Sequence, residues 1–200
     1  MLRNADIAMY EAKRSGGNGV RPFRQAMRSR LLQRQRDEAD LRVALEDNQL
    51  VLYYQPIVEL RSGQITGAEA LLRWQHPRLG LRPPGAFIGL AESTDLIVPL
   101  GEWVLGAACE QAHRWSAEGM SLGMSVNVSS HQLSRAGFLD SLDRILGRTG
   151  LPVSSLTLEL TESALAQDAA LTTLRGVRER GVRVALDDFG TGYSSLSYLQ

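Results

Sequence analysis

The chain has 200 residues, 44% hydrophobic and 22% charged, a composition that belongs to a folded globular protein and excludes a disordered or fibrous one. Its 22 basic and 22 acidic residues cancel, which excludes the basic footprint of a polymeric nucleic-acid binder and leaves a small anionic ligand open. One cysteine, Cys109, in the apolar stretch "GEWVLGAACEQ", excludes a disulfide framework and reads as an inert buried thiol in a reducing compartment.

No apolar leader and no run of about 18 apolar residues is present, so a cytoplasmic chain without membrane contact of its own is expected, with room for a parent protein tethered to a membrane. In chain order, "NADIAMYEAKRSGG" sets Ala5, Ala8, Met9 and Ala12 at helical spacing between Asn4 as N-cap and Gly16-Gly17 as a stop. It predicts a short amphipathic helix. The charged segment that follows reads as a solvated connecting helix over residues 21–40 rather than a basic binding patch. Two strands, "LVLYYQPIVEL" and "QITGAEALLRW", come next, and the "RSG" between them is too short for anything but an antiparallel hairpin. The loop "QHPRLGLRPPG" leads into helical "AFIGLAES" and "VPLGEWVLGAACEQAHRWSAEG". Then strand "GMSVNVSS", helix "HQLSRAGFLDSLDRILGRTG", strand "SLTLELTES", helix "DAALTTLRGVRERG" and strand "VRVALDD" alternate to the end. Repeated βα units with glycine stops argue for a parallel sheet covered by helices.

The strands share one feature, an apolar face alternating with a face that carries a polar side chain near the C-terminal end. Leu156, Leu158 and Leu160 alternate with Thr157, Glu159 and Thr161, and Val182, Val184 and Leu186 with Arg183, Ala185 and Asp187. Val126 and Val128 alternate with Ser125, Asn127 and Ser129, and Ala68, Ala70 and Leu72 with Gly67, Glu69, Leu71 and Arg73. The steps from Asn127 to Glu159 and from Glu159 to Asp187 each have the length of one βα unit, about 30 residues, of a (β/α)8 barrel, whose chemistry sits at the C-terminal strand ends. A flavodoxin-like open sheet also alternates strands and helices, but its strands are more often apolar on both faces.

In a barrel, Glu69, Asn127, Glu159, Asp187 and Asp188 converge at one mouth. Four carboxylates so placed repel one another unless cations sit among them. Hard oxygen donors with one amide suit Mg2+ or Mn2+, and two adjacent aspartates can serve a pair of ions of the kind that hydrolyses phosphoesters. The triplet "DFG" at Asp188 also occurs in protein kinases, but no phosphate-covering glycine loop, strand lysine or "HRD" accompanies it. His76, His113 and His131 are scattered without ligand spacing and read as structural or exposed.

The stretches "YYQPIV", "GAEALLRWQHP", "FIGLAES", "SVNVSSHQL", "LTLELTES" and "ALDDFGTGYSSLSYL" resemble successive signature blocks of the EAL domain, the barrel phosphodiesterase of bacterial cyclic di-GMP signalling. The resemblance covers residues 41–200. The segment 1–20 is similar to the last helix of a GGDEF domain, the diguanylate cyclase module, without that domain's signature loop, so synthesis of cyclic di-GMP is not expected of this chain. The resemblance implies an α/β fold, an incomplete TIM-type (β/α)8 barrel of the EAL type with an antiparallel first strand, plus the N-terminal helical segment. It implies metal ligation by Glu69, Asn127, Glu159, Asp187 and Asp188, with Mg2+ or Mn2+ as cofactor. It implies Glu69 and Glu162 as the catalytic carboxylates, Glu162 by holding the "DDFGTGYSS" loop, and contacts to the dinucleotide from Gln55 and Arg73.

The implied reaction is hydrolysis of one phosphodiester bond of cyclic di-GMP to linear pGpG. The implied partners are cyclic di-GMP and, as an open option, a second copy of the chain. The alternative function is a non-catalytic module that binds cyclic di-GMP or a protein partner for regulation. Gly89 stands where the family usually has Pro, and Asp95 where Gly is usual. With the chain ending at Gln200, about five of the eight strands and none of the family's lysine often assigned to water activation are expected, and the chain by itself is expected to be weakly active or inactive.

Overall fold

The computed structural model describes Met9 and residues 25–161, 164–165 and 168–187. The expected helix near the N-terminus, Glu162, and the loop that begins at Asp188 lie outside the described residues. The chain divides into two compact units, Met1–Val43 and Ala44–Gln200.

In the first unit the described structure is helix α1, Gln25–Glu46, whose last turn passes into the second. It runs beyond the expected end at residue 40 because "LRVALE" holds good helix formers and no breaker. Asn48, with φ of 55°, supplies the left-handed turn after it. Its exposed face is laced by i,i+4 pairs, Arg42 to Glu38 at 3.1 Å and Gln33 to Asp37 at 2.9 Å, as a solvated helix requires.

In the second unit, β1 (Leu50–Val58) and β2 (Ile65–His76) form the expected antiparallel hairpin. Gly63, at φ of 70°, closes its turn with hydrogen bonds Gly63 N–H to Glu59 O and Glu59 N–H to Gln64 O, both 2.9 Å. The loop expected after β2 contains a further strand, β3 (Gly80–Arg82), which folds back antiparallel on β2. His76 is buried there, its Nδ1 accepting from the Arg78 N–H at 3.1 Å, so it is structural as expected.

Short α2 (Ile88–Ser93) and long α3 (Ile97–Ala117) precede β4 (Gly123–Asn127). The single helix expected over 131–150 is two, α4 (Ser130–Leu133) and α5 (Phe138–Thr149), because Gly137 turns left-handed at φ of 89° between them. Strand β5 (Leu156–Thr161), helix α6 (Asp168–Glu179) and strand β6 (Arg183–Asp187) complete the alternation. The sheet order is β1-β2-β4-β5-β6, antiparallel at β1–β2 and parallel thereafter, and it is open among the described residues.

Strand parity explains the core. Leu156, Leu158 and Leu160 of β5 and Met124 and Val126 of β4 are fully buried beneath the helices, where α3 contributes Leu100, Ala108 and Cys109. Each of the Leu, Met and Val side chains among these contributes about 1.5–3 kcal/mol by leaving water. Burial pushes the Cys109 thiol up to about 12, with Glu110 adding to the rise, which makes it the inert thiol expected. Outside the core, Arg180, just past the end of α6, grips Asp143 of α5 through two parallel hydrogen bonds of 2.7 and 2.8 Å. Both departures from the EAL pattern have local accounts. Gly89 sits in α2 with open space around it, and Asp95 takes the left-handed φ of 59° that favours glycine while its carboxylate pairs with Arg135. No helix among the described residues is long and apolar enough to cross a membrane.

Candidate active site

The register of the parallel strands sets the site. Glu69 on β2 lies beside Ser125 on β4, and Asn127 is two positions further along β4. Asn127 lies directly beside Glu159 on β5, which lies beside Ala185 on β6, with Asp187 two positions further along. Moving across the sheet, the polar position therefore climbs by two, then none, then two. Side chains on one face can step only by even numbers, so this rise is the closest a strand can come to about one residue per strand, the stagger that an eight-stranded barrel of shear eight requires. Tilted strands bring residues so staggered to one height along the barrel axis.

The Asn127 Nδ2 group donates to Glu69 Oε1 at 2.7 Å, joining positions 58 apart in sequence. That bond uses the amide nitrogen and leaves the amide oxygen as an acceptor suited to a cation. Glu159, half-buried beside them, has its carboxyl raised above the ordinary 4.5, first by burial and then by the negative charges of Glu69 and Asp187, while a hydrogen bond from Ser125 opposes the rise. The arrangement is an anionic pocket that a cation relieves. Among the described residues, however, no three His, Cys, Asp or Glu side chains gather closely enough to form a metal shell. The expected Asp188 and Glu162 lie outside the described residues.

A cavity of about 720 Å³ opens at these strand ends, lined by Asn127, Glu159 and Asp187 and, from the helix side, by Ile97, Gly101 and Gln132. Its volume is that of a small-molecule site. Glu69 borders this cavity through Asn127 rather than lining it. Gln55 is the direct cross-strand partner of Glu69 and is exposed on the same face. Arg73 shares that face; its Nη1 donates to Leu72 O at 2.8 Å, and its guanidinium lies 5.7 Å from the Tyr53 ring centroid. Neither of these two expected ligand contacts lines the cavity.

Ser125, hydrogen-bonded to Glu159, and Gln132, which lines the cavity, stand at the site without being singled out by the sequence pattern. Ser125 has the parity of the site residues, yet a lone serine on a strand carries no further signal. Gln132 ends an S-x-x-Q capping signature at Ser129 that is legible as a helix start.

The raised Glu159 carboxyl has a consequence for stability. The folded protein holds that proton more tightly than the unfolded chain, so the contribution is full below 4.5 and is lost as pH rises through the raised value. Glu159→Gln cannot ionise. In chelator it is expected to melt at a higher temperature than the unsubstituted protein at pH 7 to 8, with the difference closing as pH falls toward the ordinary carboxyl range. Melting curves over pH check this; an equal difference at every pH would contradict it.

Residues 38–200 match the EAL domain family, and the chain belongs to it. It is 47% identical over 203 residues to the bifunctional diguanylate cyclase/cyclic di-GMP phosphodiesterase MucR of Pseudomonas aeruginosa, a match spanning all of this chain and 30% of that protein. To the cyclic di-GMP phosphodiesterase NbdA of the same organism it is 41% identical, spanning all of this chain and 26% of that protein. The chain thus covers less than a third of the length of these two curated relatives. Among solved structures, the MucR phosphodiesterase in its c-di-GMP complex superposes with a TM-score of 0.78 at 49% identity, over 82% of this chain and 68% of that one. The FimX EAL domain of Xanthomonas citri in complex with c-di-GMP gives 0.75 at 26% identity, over 86% and 67%. The EAL-type fold expected from sequence, with its antiparallel first strand, is thereby the fold of the second unit, whose sheet is open among the described residues.

Proposed function

We propose that this chain is the EAL part of a cyclic di-GMP phosphodiesterase and supplies the carboxylate and amide side of its site. The observation that carries the reading is the 2.7 Å bond from Asn127 to Glu69, which joins two strands at the height where Glu159 and Asp187 also stand. Mg2+ or Mn2+ would be held by Glu69, Asn127, Glu159, Asp187 and Asp188, a donor set of hard oxygens. Bound there, the metal would neutralise phosphate charge and lower the pKa of a bound water, so that hydroxide is available as the nucleophile near neutral pH.

The remaining work belongs to the chain's own groups. Asn127 fixes the Glu69 carboxylate, and the Ser125 hydroxyl does the same for Glu159, so that both are held in place before substrate arrives. Gln55 and Arg73, on the same sheet face, contact the dinucleotide, Arg73 with a charge suited to its phosphates. Glu162 has, on the family resemblance, a role in holding the segment that starts at Asp188.

The test is incubation of the full-length protein with cyclic di-GMP and Mn2+, with products separated by chromatography. Linear pGpG is expected, and none in chelator. Binding without product would favour the alternative, a regulatory module that holds the dinucleotide. Absence of both binding and product would overturn the reading.

A further inference from the structure

The segment that follows Asn127 is fastened more firmly than its length explains. Helix α4 is a single turn, too short to be stable by itself, yet it starts with a complete capping box. Ser129 Oγ accepts from the Gln132 N–H at 3.3 Å, and Gln132 Oε1 accepts from the Ser129 N–H at 3.0 Å. Around it, the Val128 N–H donates to Glu159 O at 2.8 Å, and the Thr173 hydroxyl of α6 donates to Leu133 O at 2.7 Å.

The Gln132 side chain, 5% exposed, lies flat against Gly101 of α3. A Cβ placed on Gly101 would stand 1.6 Å from Nε2 and 2.6 Å from Cδ of Gln132. No rotamer of a side chain at 101 avoids this, because the clash is with Cβ itself. Nε2 and Cδ of Gln132 must therefore shift to admit one. Both Gly101 and Gln132 line the cavity that Asn127 and Glu159 line.

We propose that Gln132 and Gly101 form a positioning pair for the site. Gly101 makes room on α3 for the Gln132 amide. Gln132 locks the backbone at Ser129, two positions beyond Asn127. That lock sets the angle at which the Asn127 amide meets Glu69. Gln132 touches no reacting atom in this account; it acts through Asn127. The proposal rests on the phosphodiesterase reading for its kinetic arm only.

The experiment uses the full-length protein and four variants. Gln132→Met keeps the volume and removes the acceptor. Gln132→Glu keeps an acceptor for the Ser129 N–H, as in the S-x-x-E form of the box. Gly101→Ala displaces Gln132, and Gly101→Ala with Gln132→Ala removes the clash without restoring the bond.

Three quantities are read: kcat and KM for cyclic di-GMP, affinity for Mn2+ by electron paramagnetic resonance, and hydrogen exchange of the Asn127 side-chain amide by NMR in chelator. Gln132→Met and Gly101→Ala are expected to lower kcat and weaken Mn2+ binding by about 10–100-fold, the usual effect of losing a partner that orients a ligand, with KM within about twofold. Exchange at the Asn127 amide is expected to quicken in both. Gln132→Glu is expected to recover most of the loss, and the double variant to melt above Gly101→Ala alone while keeping the low kcat.

Unchanged exchange and Mn2+ affinity in a folded Gln132→Met, or in the folded double variant should Gln132→Met fail to fold, would overturn the proposal. So would a Gln132→Glu as impaired as Gln132→Met. If the unsubstituted protein turns nothing over, the phosphodiesterase reading fails, while the exchange and Mn2+ arms still decide the positioning role.

Discussion

Alanine at Glu69 is expected to lower kcat for cyclic di-GMP hydrolysis about 10³-fold or more, with little change in KM and no loss of thermal stability. The carboxylate of Glu69 does two things at once. It accepts from Asn127 at 2.7 Å, and it contributes negative charge beside the Glu159 carboxyl, which is raised first by burial and then by the charges of Glu69 and Asp187. In the proposed site, removing it takes a ligand from the cation and frees the Asn127 amide to rotate. Ion-borne charge stabilisation is worth several kcal/mol, and each 1.36 kcal/mol is a factor of ten in rate, so a loss of about 4 kcal/mol gives the stated fall. Stability moves the other way, because an uncompensated charge leaves an anionic pocket. Steady-state kinetics beside a melting curve read both. Full turnover with alanine at 69 would show the metal-site assignment to be wrong.

The second large effect is on folding. Gly67, two positions before Glu69 on β2, is buried, and a Cβ there would lie 2.9 Å from Gly123 O and 3.4 Å from Gly123 C on β4. Those are backbone atoms of the neighbouring strand, paired in register with Gly67, and they have no rotamer by which to withdraw. Gly67→Ala must part the β2–β4 ladder or bend it, at a cost of about 1–3 kcal/mol. For a chain of this size that is roughly 2–4 °C of melting temperature per kcal/mol. Gly89→Ala is the control. Gly89 sits within α2 with nothing within 4 Å of its would-be Cβ, so alanine there is expected to raise stability by about 0.5–1 kcal/mol. If both substitutions cost the same, close strand approach is not what the glycine at 67 provides.

The alternation of apolar and polar residues is sufficient to place Glu69, Asn127, Glu159 and Asp187 on one sheet face, because a strand has a period of two and leaves no third choice. It does not give the stagger between strands. That depends on which carbonyl meets which N–H across the whole helices and loops that separate one strand from the next, and no local pattern encodes it. The break at Gly137 is not legible because glycine inside a helical pattern is tolerated as often as it stops one. The short β3 has no periodicity to read; Gly80, at φ of 69°, is its only signal. Gln132 is hidden for a different reason. Its capping signature is visible, but its value lies in a contact with Gly101, far earlier in the chain and on another helix, which only the folded chain reveals.

In the proposed site, Glu69 on β2 and Asn127, Glu159 and Asp187 at the C-terminal ends of β4, β5 and β6 hold a divalent cation. Anomalous diffraction from crystals of the full-length protein grown with Mn2+ tests it directly. A manganese peak within about 2.5 Å of carboxylate oxygens of Glu69, Glu159 and Asp187 and the amide oxygen of Asn127 is the expected result. A protein that turns over cyclic di-GMP with manganese bound elsewhere, and none at these four residues, would contradict it.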